Sequence, residues 1–222
     1  MSALQPAAVR ALIENNRCSP ALFCELIGGI PASERDAWVD LLLGLDGIPE
    51  DGPELPRQCV PYLPCAVDAL LRVVEHAPVG SADVFVDVGS GVGRAAALVH
   101  LLTGAPAIGV EVQPALVSAS RALAVRLRLP GLSFVQGDAA DVIPRMAAGS
   151  VFLLYCPFSG DRLTRLLANV EPLARARPIR VCCVDLPLAP CRWLDLALPR
   201  FQDLSIYRSI GAPRPADVVT ST

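Results

Sequence analysis

The spacing of apolar residues changes once along the chain, from a period typical of helices to runs typical of buried strands. Up to residue 77, apolar residues recur three and four positions apart, which predicts amphipathic helices. These helices are predicted at 7–15, 19–27, 34–45 and 66–77. A proline-rich connector, GIPEDGPELPRQCVPYLP, occupies 47–64. We therefore predict an N-terminal helical extension, with a connector that covers the cofactor or substrate, over residues 1–80.

From about residue 83, short apolar runs alternate with helical patterns. The runs predict five buried strands: DVFVDV, AIGVEV, LSFVQGD, VFLLYCPF and IRVCCVD. Apolar strands separated by helices predict a parallel, doubly wound α/β sheet. This second unit is predicted to span 81–222. Its last element is a predicted hairpin of LSIYRSI and ADVVTST.

Composition narrows the class of protein. No apolar run approaches the roughly 20 residues of a membrane helix, and the N-terminus lacks the apolar core of a signal peptide. We therefore expect a cytoplasmic location and no membrane partner. All 19 basic residues are arginine, which excludes P-loop and pyridoxal phosphate chemistry because both need a lysine. The net charge of −3 does not suggest a nucleic-acid partner.

The eight cysteines do not have the spacing of a metal site. Cys18 and Cys24 are six residues apart, as are Cys59 and Cys65, and neither pair has the C-x-x-C spacing of a zinc knuckle. We expect reduced cysteines that are mostly structural, and no metal site.

The stretch VFVDVGSGVGR, residues 84–94, places a glycine-rich turn directly after a buried strand. A dinucleotide turn has the pattern G-x-G-x-x-G, whose third glycine permits close packing of helix on strand. Here Arg94 stands at that third place, where its side chain is expected to crowd this packing. The pattern is instead D-x-G-x-G-x-G, formed by Asp87, Gly89, Gly91 and Gly93.

Two further carboxylates follow the next two predicted strands. Glu111 ends the second strand, and Asp138 follows the third. Ligands of doubly wound sheets bind beyond the carboxyl ends of the strands, where a carboxylate can accept the two ribose hydroxyls of a nucleoside. Three strand-end carboxylates with a glycine turn at the first favour a nucleotide-binding α/β protein.

Residues 84–185 resemble the class I S-adenosylmethionine-dependent methyltransferases, with Asp87-Val-Gly89-Ser-Gly91-Val-Gly93 in the place of that family's first motif. The resemblance implies a mostly parallel, Rossmann-like sheet of seven strands and the cofactor S-adenosyl-L-methionine. It implies that Asp87 helps to hold the amino group of the cofactor and that Asp138 faces the adenine. The cofactor-binding residues implied in this way are Asp87, Gly89, Ser90, Gly91, Gly93, Glu111, Asp138 and Ala139.

The sequence defines the methyl acceptor less closely than it defines the cofactor. The fourth strand ends in Tyr155-Cys156-Pro157-Phe158, whereas amino-methylating members of the family often carry N-P-P-aromatic here. Without that asparagine, methylation of a nucleobase amine is not expected. Tyr155 is a candidate catalytic residue that either contacts the acceptor or packs at the strand end, and Asp185 is an alternative base at the end of the fifth strand.

The segment 61–94 also resembles in part the non-SET (Dot1-like) histone-lysine methyltransferase type and its bacterial relatives, although the asparagine-rich fourth motif of that type is missing. This resemblance implies that the connector passes over the cofactor and that Tyr62 lies near the acceptor. A tyrosine that simply packs on the domain stays an alternative. The sequence thus predicts a methyltransferase that acts on a protein side chain or a small molecule. A non-catalytic cofactor-binding protein and an NAD(P)-dependent oxidoreductase remain open.

Overall fold

The computed structural model describes residues 4–52 and 55–210. The N-terminal part contains four helices: α1 (Pro6–Glu14), α2 (Pro20–Gly28), α3 (Ala32–Leu43) and α4 (Val67–His76). Each lies where the apolar spacing predicts it, with bounds that differ by one or two residues. None of the helices in these ranges is long and apolar enough to span a membrane.

The rest of the described chain forms a sheet of seven strands with helices on both faces. The strands are β1 (Phe85–Val88), β2 (Ala107–Glu111), β3 (Leu132–Gln136), β4 (Val151–Tyr155), β5 (Arg180–Val184), β6 (Leu194–Phe201) and β7 (Leu204–Ser209). The helices are α5 (Arg94–Thr103), α6 (Pro114–Arg126), α7 (Ala139–Val142) and α8 (Gly160–Ala176), with a 3₁₀ turn at Ile143–Arg145. The strand order is β3-β2-β1-β4-β5-β7-β6, and only β7 runs antiparallel to its neighbours. The predicted doubly wound, mostly parallel sheet is confirmed.

The C-terminal hairpin differs from the prediction. Strand β7 contains the predicted LSIYRS, but its partner is the preceding strand β6. The other predicted strand, ADVVTST, lies outside the described residues. Strand β6 carries no buried-strand signal because it is a largely exposed edge strand that contains Pro199, and its register shifts after Leu196. Proline is tolerated on such edges.

Two apolar clusters cover the faces of the sheet. The first joins Phe85 of β1 to Leu98 of α5 and to Phe23 and Leu42 of the N-terminal extension. The second packs α7 and α8 on the opposite face, around residues such as Phe152. Because Phe23 and Leu42 belong to this first cluster, the N-terminal helices share one core with the sheet. Full burial of each such side chain contributes roughly 1.5–3 kcal/mol to stability.

The order in which strands are added reverses beside β1. Strands β2 and β3 follow on one side of β1, and β4 and β5 follow on the other. In open parallel sheets the ligand crevice lies at this reversal, beyond the carboxyl ends of the strands. The residues that leave these ends here are the glycine turn after Val88 and Cys156 after Tyr155.

Arg94, the first residue of α5, joins the N-terminal extension to the sheet. Its side chain is 4% exposed, and it donates to Asp40 at 2.6 Å, to Asp36 at 2.7 Å and to the carbonyl of Cys65. Burial disfavours the cation, but hydrogen bonds to the two carboxylates outweigh burial and raise the pKa of Arg94. Asp36 also accepts the N–H of Val67, where α4 begins, at 3.0 Å. The guanidinium thereby fixes α3 and α4 against the glycine turn.

The side chain of Arg94 does not crowd the contact between α5 and the sheet, because it leaves toward α3. The close approach occurs instead at Gly93 and at Gly109 of β2, where an added Cβ would overlap the ring of Phe134. The prediction that Arg94 crowds the packing of helix on strand is therefore wrong, because its side chain leaves the sheet for Asp36 and Asp40.

Replacement of both Asp36 and Asp40 by asparagine is expected to lower the free energy of unfolding by about 3 kcal/mol, because it leaves the buried cation of Arg94 without a counter-charge. The measurement is urea unfolding. As a control, Asp195→Asn removes the partner of Arg208 in a pair whose side chains are both about half exposed, and it should cost less than about 1 kcal/mol. Equal costs in the two variants would contradict this role of Arg94.

Candidate functional site

A cleft lies at the carboxyl ends of β1 to β4, between the strand-end turns, the connector and the start of α8. The predicted site residues that line it are Tyr62, Gly89, Glu111, Asp138, Ala139 and Tyr155. Apolar side chains supply much of the remaining lining, among them Leu55, Val60, Val112 and Phe158. A concave, largely apolar site with a few convergent polar groups is typical of a small-molecule site.

The glycine turn has a backbone that other groups approach closely. Gly89 and Gly91 have φ angles of +79° and +52°, which favour glycine. A Cβ at Gly89 would lie 2.8 Å from the Cβ of Pro157, and one at Gly91 would overlap the ring of Tyr62. The Tyr62 ring therefore lies directly on the turn. The other predicted residues of the turn are not part of the cleft lining: Asp87, Ser90, Gly91 and Gly93.

Asp87 is a buried carboxyl in the middle of β1, with 4% exposure. Burial raises its pKa to about 7, a backbone hydrogen bond from Ala96 of α5 partly offsets this, and the charge of Glu111 raises it further. Its Oδ2 atom has no hydrogen-bond partner among the described residues. Because an unpaired buried polar atom costs free energy, this oxygen is suited to receive a donor from a ligand.

Two hydroxyls of the same region, on Tyr62 and Ser90, are likewise buried and lack a partner within the described ranges. A Cβ at Gly109 would lie 2.5 Å from the Ser90 Oγ, so that hydroxyl faces β2 rather than the cleft. Burial raises the pKa of Tyr62 well above its ordinary value, with Arg94 opposing and Asp87 adding to this shift. Tyr62 is therefore a neutral hydroxyl beside the turn.

Glu111 is held by backbone groups on both sides of its carboxylate. Its Oε2 accepts the N–H of Gly91 at 2.9 Å, and its Oε1 accepts the N–H of Gln113 at 2.8 Å. Each carboxylate oxygen can accept more than one hydrogen bond. The carboxylate is thus fixed in position at the cleft and retains the capacity to accept two neighbouring hydroxyls.

Asp138 begins α7 as its N-cap residue. Its Oδ1 accepts the N–H of Ala140 at 3.0 Å, and its Oδ2 forms an ion pair with Arg162 of α8. Ala139 follows it at the cleft wall and is nearly buried. The predicted carboxylate therefore lines the cleft, but it is paired with a cation, Arg162, that the sequence analysis did not identify.

A spacing signal could have identified Arg162. Asp138 and Asp141 are three residues apart, and so are Arg162 and Arg165. The structure pairs Arg162 with Asp138 and Arg165 with Asp141. Matched spacing of opposite charges in two segments of the chain indicates that the segments lie side by side.

The connector is held to the turn after β2 by a residue that sequence reasoning missed, Gln113. Its Oε1 accepts the N–H of Gly52 at 2.7 Å, and its Nε2 donates to Asp51 at 2.7 Å. Asp51 in turn accepts the N–H of Tyr62 at 3.0 and 3.1 Å. No sequence pattern signals this arrangement, because it depends on the path of the connector over the sheet.

Two of the three predicted catalytic residues line the cleft, and the third does not. Tyr155 ends β4 and, like Tyr62, lines the cleft, and burial raises its pKa. Asp185 is not part of the cleft lining: its carboxylate, more than half exposed, faces Arg200 at 3.5 Å. Only its carbonyl reaches toward the cleft, where it accepts the thiol of Cys156 at 3.1 Å.

Within residues 4–52 and 55–210, no group of three or more His, Cys, Asp or Glu side chains is arranged to hold a metal ion.

Comparison with known proteins finds similarity in structure only. No protein-family model matches the chain, and no curated protein matches it. An RNA methyltransferase from Salinibacter ruber, solved with S-adenosyl-L-homocysteine, is similar with a TM-score of 0.58 and 24% identity, over 71% of this chain and 100% of that one. The methyltransferase candidate YhhF of Escherichia coli is similar with a TM-score of 0.53 and 17% identity, over 73% and 91%. The fold is that of the class I methyltransferases.

The burial of Asp87 gives a prediction about stability and pH. Because its pKa rises from an ordinary value of 3.8 to about 7 in the folded chain, the folded state holds a proton that the unfolded state has lost between these values. The contribution of Asp87 to the free energy of unfolding is therefore fully present below about pH 4 and is lost as the pH rises through 7. Asp87→Asn should remove that loss and raise the free energy of unfolding at pH 8 by roughly 2–4 kcal/mol.

Urea unfolding of the wild type and of Asp87→Asn between pH 5 and 8 measures this effect. The difference in free energy of unfolding between the two proteins should grow as the pH rises. Groups that titrate in both proteins cancel in this difference, so its change with pH reports Asp87. A difference that is constant across this range would contradict the raised pKa.

Proposed function

We propose that this chain binds S-adenosyl-L-methionine and transfers its methyl group to an acceptor nucleophile. The observation that carries the proposal is the unpaired, buried Oδ2 of Asp87 on β1, directly before a glycine turn whose Gly89 lines the cleft together with Glu111 and Asp138. The class I methyltransferase fold supports it, as does the S-adenosyl-L-homocysteine in the Salinibacter ruber neighbour.

The polar groups of the cleft and of the adjoining glycine turn fit the parts of this cofactor one by one. Asp87 would accept its α-amino group, and the close backbone of Gly89 and Gly91 would admit its methionine part once Tyr62 moves aside. Glu111 would accept the ribose hydroxyls, and Asp138 with Ala139 would face the adenine. When bound, the cofactor supplies a methyl group on a positively charged sulfonium. The remaining turn residues, Ser90 and Gly93, would act through the backbone, since the Ser90 hydroxyl faces β2.

The acceptor side of the cleft orients a nucleophile rather than deprotonating it. Burial raises the pKa values of Tyr62 and Tyr155, so both are neutral hydroxyls near pH 7. They can hydrogen-bond an acceptor but are poor general bases. Methyl transfer from a sulfonium is an in-line displacement with a good leaving group, for which proximity and alignment supply much of the rate. Asp185 faces away from this region and has no part in the proposed step.

Residues 1–80 are proposed to cover the cofactor and to shape the acceptor pocket. The hydrogen bonds of Asp51 with Tyr62 and Gln113 hold the connector above the cleft. The partial resemblance to the non-SET histone-lysine type supports the proposal that Tyr62 lies near the acceptor. The acceptor is proposed to be a protein side chain or a small molecule, since the fourth strand carries Tyr-Cys-Pro-Phe in place of N-P-P-aromatic. Eight free thiols support a reducing, cytoplasmic compartment.

Two alternatives lead to different outcomes in the same assays. A non-catalytic cofactor-binding protein would bind S-adenosyl-L-methionine and transfer no labelled methyl group to protein, nucleic-acid or metabolite fractions. An oxidoreductase would bind NAD or NADP in preference to S-adenosyl-L-homocysteine. The spacing D-x-G-x-G-x-G, which differs from the dinucleotide pattern G-x-G-x-x-G, argues against the oxidoreductase.

Calorimetry with S-adenosyl-L-homocysteine tests the proposal. The wild type should bind, Asp87→Ala and Glu111→Ala should bind at least tenfold more weakly because each loses a charged hydrogen bond, and Asp195→Ala on the remote edge should bind as the wild type does. Because Asp87 must be ionised to pair with an ammonium group, wild-type affinity should be roughly tenfold weaker at pH 6 than at pH 7.5. No binding, or binding that neither variant alters, would sink the proposal.

A further inference from the structure

Arg162 differs from the other arginines of α8 because it faces the cleft. It is part of the cleft lining beside Asp138 and Ala139. Its side chain is 21% exposed, whereas that of Arg165, one turn further along the same helix, is 54% exposed. Both arginines pair with an aspartate of the α7 segment, so pairing between the two helices does not by itself explain why one pair is directed into the site.

The connector and the start of α8 hold Arg162 in this direction. The Nε of Arg162 donates to the carbonyl of Arg57 at 3.3 Å, and its backbone N–H donates to the Oε1 of Gln58 at 3.2 Å. Gln58 in turn lies close to Gly160, where a Cβ would meet its amide at 2.7 Å. One terminal nitrogen of the guanidinium pairs with Asp138, and the other, Nη2, has no hydrogen-bond partner in the described part of the chain. A planar fork held at two points, on a backbone that is itself held by Gln58, has little freedom left to lose on binding a ligand.

We propose that Arg162 is a specificity-determining residue that, with Asp138, selects a base with a hydrogen-bond donor next to an acceptor, as in adenine. Asp138 accepts and Arg162 donates, so the pair presents an acceptor next to a donor. Adenine offers the complement, an exocyclic amino group beside a ring nitrogen that accepts. Hypoxanthine offers the reverse on that edge, a carbonyl oxygen beside a ring N–H. This inference rests on the proposed function, because it concerns the base of the same cofactor.

Arg162 acts on the base in two ways, through the Asp138 carboxylate and through its own free nitrogen. Its ion pair fixes the Asp138 carboxylate, whose other oxygen caps α7 through Ala140. Its free nitrogen supplies the donor. A ligand that mismatches both groups sets a carbonyl oxygen against the half-buried Asp138 carboxylate and leaves Nη2 of Arg162 without an acceptor, and such losses discriminate strongly between ligands.

The test compares two ligands by calorimetry, S-adenosyl-L-homocysteine and its deaminated analogue S-inosyl-L-homocysteine. The wild type should prefer the adenine ligand by at least tenfold. Arg162→Ala should weaken binding of the adenine ligand about tenfold and should lower the ratio of the two dissociation constants severalfold, with the remaining preference supplied by Asp138. Arg162→Lys keeps a cation beside Asp138 but not the fork, and its ratio should lie between those values. Arg165→Ala, the matched control, should leave both dissociation constants unchanged.

A purely structural role of Arg162 would weaken both ligands equally and leave the ratio unchanged, which overturns the inference. An unchanged affinity for the adenine ligand in Arg162→Ala would overturn it as well. In both cases wild-type binding of S-adenosyl-L-homocysteine would leave the proposed function standing. If the wild type binds neither ligand, the proposed function fails and the inference fails with it. Urea unfolding of each variant checks that the fold is intact.

Discussion

The buried cation of Arg94 is the interaction on which the arrangement of this molecule depends. It occupies the first position of α5, directly after the glycine turn, and its three partners are Asp36 and Asp40 of α3 and the carbonyl of Cys65, which directly follows the connector. A buried ion pair contributes less to net stability than its Coulomb energy suggests, because both charges lose water. Its effect here is positional: the charge is satisfied in one docking geometry, and that geometry brings the connector and Tyr62 over the turn.

A second constraint acts at the centre of the sheet, where Asp87 is buried without a full set of partners. Its environment holds the pKa near 7, so the unliganded chain bears a free-energy cost at this position when the carboxyl ionises. In the proposed complex, a ligand ammonium would remove that cost by pairing with the charge. The ring of Tyr62, which lies on Gly91, would have to move to admit it. The proposed function thus accounts for the destabilised carboxyl and for the glycine turn beside it.

The sequence predicted the central strands and their end groups because these features are local. Five apolar runs marked β1 to β5, and strand-end carboxylates such as Glu111 and Asp138 could be identified one strand at a time. The features that were not predicted leave no pattern along a single segment of the chain. Strand β6 is exposed and contains a proline, so it has no burial pattern to detect, and the hairpin was assigned a wrong partner. Gln113 and Arg162 act through contacts between segments far apart in the chain, which spacing along one segment does not encode.

The most direct test of the cofactor site is a crystal structure of the chain with S-adenosyl-L-homocysteine. We expect the ligand amino group within hydrogen-bond distance of the Asp87 Oδ2, the ribose at Glu111, the base beside Asp138, and the Tyr62 ring displaced from Gly91. A ligand bound elsewhere, or a Tyr62 ring still lying on Gly91 while Asp87 stays unpaired, would contradict the claim that the glycine turn is the cofactor site.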